Sequence, residues 1–357
     1  MQQQRISRLR GLMQDKGLTA VLITNSTNRM YMTGFTGSAG YVLITESRAI
    51  LLTDFRYMTQ APQQAAGFEV IEHAPNAMET VKDLLTKQGI AKLGFEQDDL
   101  TYGAYRSYVQ TLSGIELVPT DKLVETLRMI KDAGEIAILQ EAADLADQTF
   151  TYILGLLKPG MSEKEIALEI EVFVRSHGAA STSFETIVAS GERSALPHGK
   201  ASERILGTNE FVKLDYGAYY KGYCSDITRT VVLGTPTDKH REIYNIVLEA
   251  QLAALDQIRP GMTGREADAV ARDIITKYGY GDFFGHGLGH GVGMEIHEAP
   301  RLSKMGDTVL APGMVVTVEP GIYLPGFGGV RIEDDIVITD SGNRRLTQSS
   351  KDLIVLS

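Results

Sequence analysis

The first third of the chain alternates short apolar runs with stretches of helical spacing. Ala20-Val-Leu-Ile-Thr24, Gly40-Tyr-Val-Leu-Ile44, Ala49-Ile-Leu-Leu-Thr53 and Lys92-Leu-Gly-Phe-Glu96 predict strands, and residues 4–16, 77–88 and 101–112 predict helices. That mixture describes a small α/β domain, which we place over residues 1–122. A long helical pattern follows at roughly 132–157, with Ala, Ile and Leu spaced for one buried face. It opens a second domain, residues 123–357.

Within the second domain the pattern repeats. Lys158-Pro-Gly-Met-Ser-Glu-Lys-Glu165 is echoed by Arg259-Pro-Gly-Met-Thr-Gly-Arg-Glu266. In each copy Ser162 or Thr263 can cap the next helix, and Glu165 or Glu266 completes a capping box. Two unrelated helix starts could share this chemistry. The sharper reading is a duplicated half-domain with pseudo-two-fold symmetry and an active site between its halves.

Composition narrows the class. The chain has 357 residues, more than one ordinary core takes, which agrees with two domains. A formal net charge of −10 argues against a nucleic-acid partner, which a basic face would serve. No apolar run approaches the ~20 residues that span a bilayer. Met1-Gln-Gln-Gln-Arg-Ile6 lacks the apolar core of a signal peptide. Cys224 is the single cysteine, so no internal disulfide can form, and the chain reads as cytoplasmic.

Two hairpins carry the candidate chemistry. Leu214 to Thr228 reads as one, with a turn at Tyr220-Lys221 that would set Asp215 directly opposite Asp226. Two carboxylates held that close repel, and a cation removes the conflict. Val315-Val-Thr-Val-Glu-Pro-Gly-Ile-Tyr323 and Val330-Arg-Ile-Glu-Asp-Asp-Ile-Val-Ile338 read as a second. A turn centred on Gly326 puts Glu319 opposite Glu333, in a run otherwise apolar, where an unpaired carboxylate is costly. Solvated aspartates beside a turn are common for one hairpin taken alone. The glycine-rich stretch from Gly285 lies between the two and carries His286, His290 and His297, three of the seven histidines. Its glycines would let the backbone approach a ligand closely. Four carboxylates and one imidazole suit Mn²⁺, Co²⁺, Fe²⁺ or Zn²⁺, and two such ions can supply a nucleophile near neutral pH. Cys224 shares a strand face with Asp226 but has no local partner to lower its pKa, so it reads as a small packed residue.

At these residues the sequence resembles the pita-bread metallopeptidases, the family of methionine aminopeptidase, aminopeptidase P, prolidase and creatinase. The resemblance rests on the order Asp, Asp, His, Glu, Glu. It also rests on Ser194-Ala-Leu-Pro-His-Gly199, Gly289-His-Gly291, Glu319-Pro-Gly-Ile-Tyr323 and Gly329-Val-Arg-Ile-Glu-Asp334. It implies an α+β fold: a pita-bread catalytic domain behind a creatinase-type α/β domain. It implies two divalent ions, with Mn²⁺ preferred and Co²⁺ or Zn²⁺ possible, bound by Asp215, Asp226, His290, Glu319 and Glu333. Asp226 and Glu333 would bridge both ions, and the ions would share a hydroxide. His198 and His297 would stabilise the tetrahedral intermediate, His286 would line the pocket, and Arg331 would orient carboxylates or the substrate terminus.

Creatinase is metal-free, and methionine aminopeptidases usually lack the first domain. The reading is therefore a proline-specific peptidase of the aminopeptidase P type, acting on peptides with proline in second position. An Xaa-Pro dipeptidase (prolidase) is the alternative. A non-catalytic binding protein on the same fold is a remote one, because no ligand position is broken. Relatives of this kind are usually dimers, so the resemblance implies a homodimer.

Overall fold

The computed structural model describes residues 2–357. The chain divides into two compact units, Met1–Arg128 and Met129–Ser357. The division falls later than the residue 122 boundary read from the sequence. The helix Leu123–Met129 explains the difference, because its Glu125 and Arg128 side chains both hydrogen-bond Asn28 of the first unit, each at 2.7 Å.

The first unit is built on one sheet. Its strands are β1 (Ala20–Ile23), β2 (Tyr41–Thr45), β3 (Ala49–Thr53), β4 (Glu69–Glu72), β5 (Lys92–Glu96) and β6 (Glu116–Thr120). Their spatial order is β4-β3-β2-β1-β5-β6. Neighbours β1–β2 and β2–β3 are antiparallel, while β3–β4, β1–β5 and β5–β6 are parallel. Mixed pairing of this kind belongs to an α/β domain, and Leu22, Leu43 and Leu52 pack there with Val81 and Leu85 of the helix Ala77–Lys87.

The second unit contains a repeated plan. Ala133–Leu154 and Glu163–Ser176 form one helix pair, Asp238–Gln257 and Gly264–Lys277 the other. Ser162 and Thr263 cap the second helix of each pair, and both capping boxes with Glu165 and Glu266 are complete. Each cap residue also makes an isolated antiparallel bridge further along its half, Ser162 to Ile205 and Thr263 to Val309. Equivalent bridges at equivalent caps are the duplication the sequence suggested.

Strands accompany each helix pair. Ile187–Ser190, Glu210–Tyr216 and Ile227–Leu233 lie beside the first, and their residues Val188, Val212 and Val231 share a core with Phe150 and Ile170. Gly289–Gly291, Val315–Val318 and Asp334–Ile338 lie beside the second, where Val316 and Ile336 share a core with Val247 and Ala271. No described helix is long and apolar enough to cross a membrane.

Candidate metal centre

The first hairpin turns one residue later than the sequence suggested. Tyr220 pairs with Tyr223, leaving Lys221 and Gly222 as the turn, with φ of 49° and 86°. Two successive positive φ angles are the signature of a type I′ turn, whose twist matches the strands it joins. In consequence Asp215 pairs with Thr228 and not with Asp226. A turn shifted by one residue moves the register by an even step, so the parity of side-chain alternation survives. Asp215 and Asp226 therefore still face the same way. Asp226 sits where the strand is interrupted, and its N–H donates to Asp335 Oδ2 at 2.8 Å.

The second hairpin keeps its predicted register. Pairs run from Val315–Val337 to Val318–Asp334 and resume from Gly321–Arg331 to Leu324–Gly328, which sets Glu319 across from Glu333. At those two residues the ladder opens and each finds another segment. Glu319 N–H donates to Leu288 O at 2.8 Å, and Glu333 N–H donates to Thr228 O at 3.1 Å. The hairpin is thereby stitched to the glycine-rich stretch on one side and to the first hairpin on the other.

His290 reaches the same place from the short strand Gly289–Gly291, which carries an irregularity between His290 and Gly291. A bulge there re-aims a side chain. The sequence reading assigned the glycines of this stretch to ligand approach. At Gly289 the close approach is to a neighbouring strand, because a Cβ there would collide with the carbonyl oxygen of Thr317.

These side chains converge on one open cavity of about 510 Å³. Asp215, Asp226, His290, Glu319 and Glu333 line it, together with His198, His286, His297 and Arg331. Ligand atoms of Asp226, His290 and Glu333 lie within 4.8 Å of one another. His290 Nε2 is 3.7 Å from Asp226 Oδ2 and 3.4 Å from Glu319 Oε1.

The electrostatics of this cluster ask for a cation. Burial, then the nearby Glu333 and Asp215, push the Asp226 carboxyl well above the usual carboxylate range. Burial, then Glu319 and Asp215, do the same to Glu333. Burial lifts Glu319 to about 7 against the pull of Arg331. Burial lowers His290 to about 4, so its imidazole is neutral and able to ligate. Asp226 Oδ1 is buried and hydrogen-bonds no described residue. An orphaned oxygen among carboxyls that resist ionisation is a group suited to a divalent metal, and the oxygen-rich donor set fits Mn²⁺, Co²⁺ or Zn²⁺.

The remaining residues hold the cluster in place. Arg331, 3% exposed, ion-pairs Asp215 and donates to Tyr323 Oη at 2.8 Å, Thr228 Oγ1 at 3.0 Å and Pro197 O at 3.1 Å. Four of its five N–H donors are thus engaged inside the protein, one of them on the Asp215 carboxylate. His286 Nε2 lies 2.7 Å from the Tyr323 hydroxyl, and burial, followed by Arg331, lowers its pKa to about 3. The neutral ring accepts from that hydroxyl, and its Nδ1 donates to Gly287 O at 2.8 Å. His198 and His297 expose their side chains at the cavity, and the His297 ring centroid lies 4.5 Å from that of His290. Cys224 is buried, and burial raises its thiol to about 12, as befits a packed residue.

Sequence reasoning passed over several residues here. Thr228 donates to Glu333 Oε2 at 2.5 Å and Thr317 to Glu319 Oε1 at 3.1 Å. Asp335 supports Asp226, and Lys213 lies in the strand that bears Asp215. Each of these four stands two positions along the chain from a candidate ligand. Period-two alternation marks them as its neighbours on one strand face.

A duplicated hairpin scaffold that gathers buried carboxylates and a histidine in an open cavity defines a metal-dependent hydrolase. The chain belongs to metallopeptidase family M24, whose pattern matches residues 137–340, and the Creatinase/Prolidase N-terminal domain matches residues 5–130. The expected pita-bread catalytic domain behind a creatinase-type domain is therefore the fold observed. A solved Xaa-Pro dipeptidase from Bacillus anthracis is 56% identical over 100% of both chains, with a TM-score of 0.98. An Xaa-Pro dipeptidase from Pyrococcus horikoshii is 41% identical, over 98% of this chain and 99% of its own. A solved X-Pro aminopeptidase from Thermotoga maritima is 40% identical, over 95% of this chain and 98% of its own, with a TM-score of 0.91.

Proposed function

We propose that this metallopeptidase is a cytoplasmic, homodimeric Xaa-Pro dipeptidase that binds two divalent ions, with Mn²⁺ preferred. The observation that carries the metal chemistry is the convergence of Asp226, His290 and Glu333, with Asp215 and Glu319, on one cavity. Asp226 and Glu333 are the carboxylates both ions would share. Divalent ions held there would polarise the scissile carbonyl and supply a nucleophile near neutral pH.

The chain's own side chains supply the rest. A peptide bond before proline has no N–H to grip, so recognition must use its carbonyl and flanking groups. His198 and His297 face the cavity and can donate hydrogen bonds to the developing oxyanion and a proton to the leaving nitrogen. Arg331 holds Asp215 in place through their ion pair, Thr228 and Thr317 orient Glu333 and Glu319, and neutral His290 completes the donor set.

The sequence reading leaned toward aminopeptidase P. Similarity to proteins named Xaa-Pro dipeptidase, at 56% and 41% identity, moves the preference to the dipeptidase. The Thermotoga aminopeptidase, at 40% identity, keeps the longer-substrate reading in view. Hydrolysis of an Xaa-Pro dipeptide and an Xaa-Pro-Yaa tripeptide with added Mn²⁺ separates them. We expect the dipeptide to be cleaved at least about tenfold more efficiently in kcat/KM, a transition-state difference of about 1.4 kcal/mol. Preferred cleavage of the tripeptide would restore aminopeptidase P.

A further inference from the structure

Lys213 lies in the strand Glu210–Tyr216, is 0% exposed, and has no place in the reaction as described above. A buried ammonium must find polar partners or its burial is costly. The partners of Lys213 are carbonyl oxygens: Leu196 O at 2.5 Å, Ser194 O at 3.1 Å and Pro197 O at 3.5 Å. All three acceptors lie around the side-chain nitrogen, which donates to them. All belong to the segment that leads into His198, whose turn is closed by Gly199 N–H donating to Leu196 O at 3.2 Å. Arg331 Nη1 donates to Pro197 O as well, at 3.1 Å. The Ser194 hydroxyl accepts from Gly329 N–H at 2.8 Å.

We propose that Lys213 is a positioning residue for His198. By gathering the carbonyls of residues 194, 196 and 197, its side-chain nitrogen sets the turn that carries the imidazole to the cavity. Alternation places Lys213 and Asp215 on one strand face, so a single strand sets both a carboxylate of the cluster and the support beneath His198. The arrangement fixes the His198 backbone from within, which an exposed side chain at the cavity requires. A catalytic group displaced by about 1 Å loses on the order of 10²-fold in rate.

The proposal rests on the role given to His198 in the dipeptidase reading, and its test separates the two. Lys213→Met, His198→Ala and the double variant are compared for kcat and KM on an Xaa-Pro dipeptide. The histidine ring signals of the chelator-treated proteins are compared by ¹H–¹⁵N NMR. Lys213→Met should lower kcat on the order of 10- to 10²-fold while changing KM less than about threefold. The double variant should fall within about twofold of His198→Ala alone, because both changes remove one contribution. The His198 signal, identified by its loss in His198→Ala, should move in Lys213→Met while that of His290 stays. Multiplying losses in the double variant, or an unmoved His198 signal, would overturn the proposal. Should Lys213→Met not fold, Lys213→Gln takes its place: its shorter amide has two donors for three carbonyls, so kcat and the His198 signal should change in the same direction but by less, and no change in either would overturn the proposal. Failure of the wild-type protein to cleave any Xaa-Pro substrate would overturn the dipeptidase reading, and the NMR comparison would still decide the place of Lys213.

Discussion

Glu319 holds its proton to about 7, against an ordinary value of 4.5, because burial outweighs the attraction of Arg331. Without metal, the folded chain keeps a proton that the unfolded chain releases between those values. The folded state binds more protons, so stability falls as pH rises from about 4.5 through about 7. His290, lowered to about 4 by burial, acts in the opposite sense as pH falls below its ordinary 6.5. Glu319→Gln isolates the first effect. In chelator, wild-type Tm relative to the variant should drop as pH is raised across that window, by differential scanning calorimetry. A constant difference would mean that Glu319 ionises normally in the fold. His198 and Asp226 differ at the same scale. His198→Ala should keep its metal and lose on the order of 10²–10³ in kcat, the effect of removing one transition-state donor. Asp226→Ala should lose metal and activity together. Elemental analysis beside kcat reads both, and an emptied site in His198→Ala would make His198 a ligand.

Among the elements, the first hairpin tests how turn chemistry sets a site. Lys221 and Gly222 both take positive φ, which glycine adopts freely and a substituted residue adopts at about 1–3 kcal/mol. Gly222→Val should destabilise the protein by about that amount in urea unfolding, with no change in m. Metal content should persist, because parity alone keeps Asp215 and Asp226 on one face. Loss of metal without loss of stability would show that the turn is part of the site. Elsewhere, legibility followed local chemistry. The strands 20–24 and 49–53 are readable because their apolar runs are continuous, and 92–96 because Leu93 and Phe95 alternate with Gly94 between charged ends. The helix Ser26–Thr33 is not, since Ser26-Thr-Asn28 are weak helix formers; the Asn25 cap and the left-handed Gly34 define it. Glu69–Glu72 escaped as well, because an edge strand with exposed ends shows little apolar pattern.

For the whole molecule, metal and fold are coupled. Ions that bind only the folded chain stabilise it by mass action, about 2.7 kcal/mol at a hundredfold excess over Kd. Chelation should therefore abolish hydrolysis and lower Tm, and Mn²⁺ should restore both. Full activity in metal-free protein, checked by elemental analysis, would remove the metal from the reaction. The sequence by itself determined the two-domain plan, the duplicated capping boxes, the identities of the candidate ligands and the strand face of the four carboxylates. These follow from rules with short range: alternation has period two, and a cap bonds three residues onward. Tertiary structure decided which distant groups meet. Arg331 with Asp215, Thr228 with Glu333, Leu288 with Glu319 and Lys213 with the turn before His198 are partnerships across separate segments of the chain. No local pattern encodes them, because each exists only where tertiary packing brings a donor within about 3 Å of an acceptor.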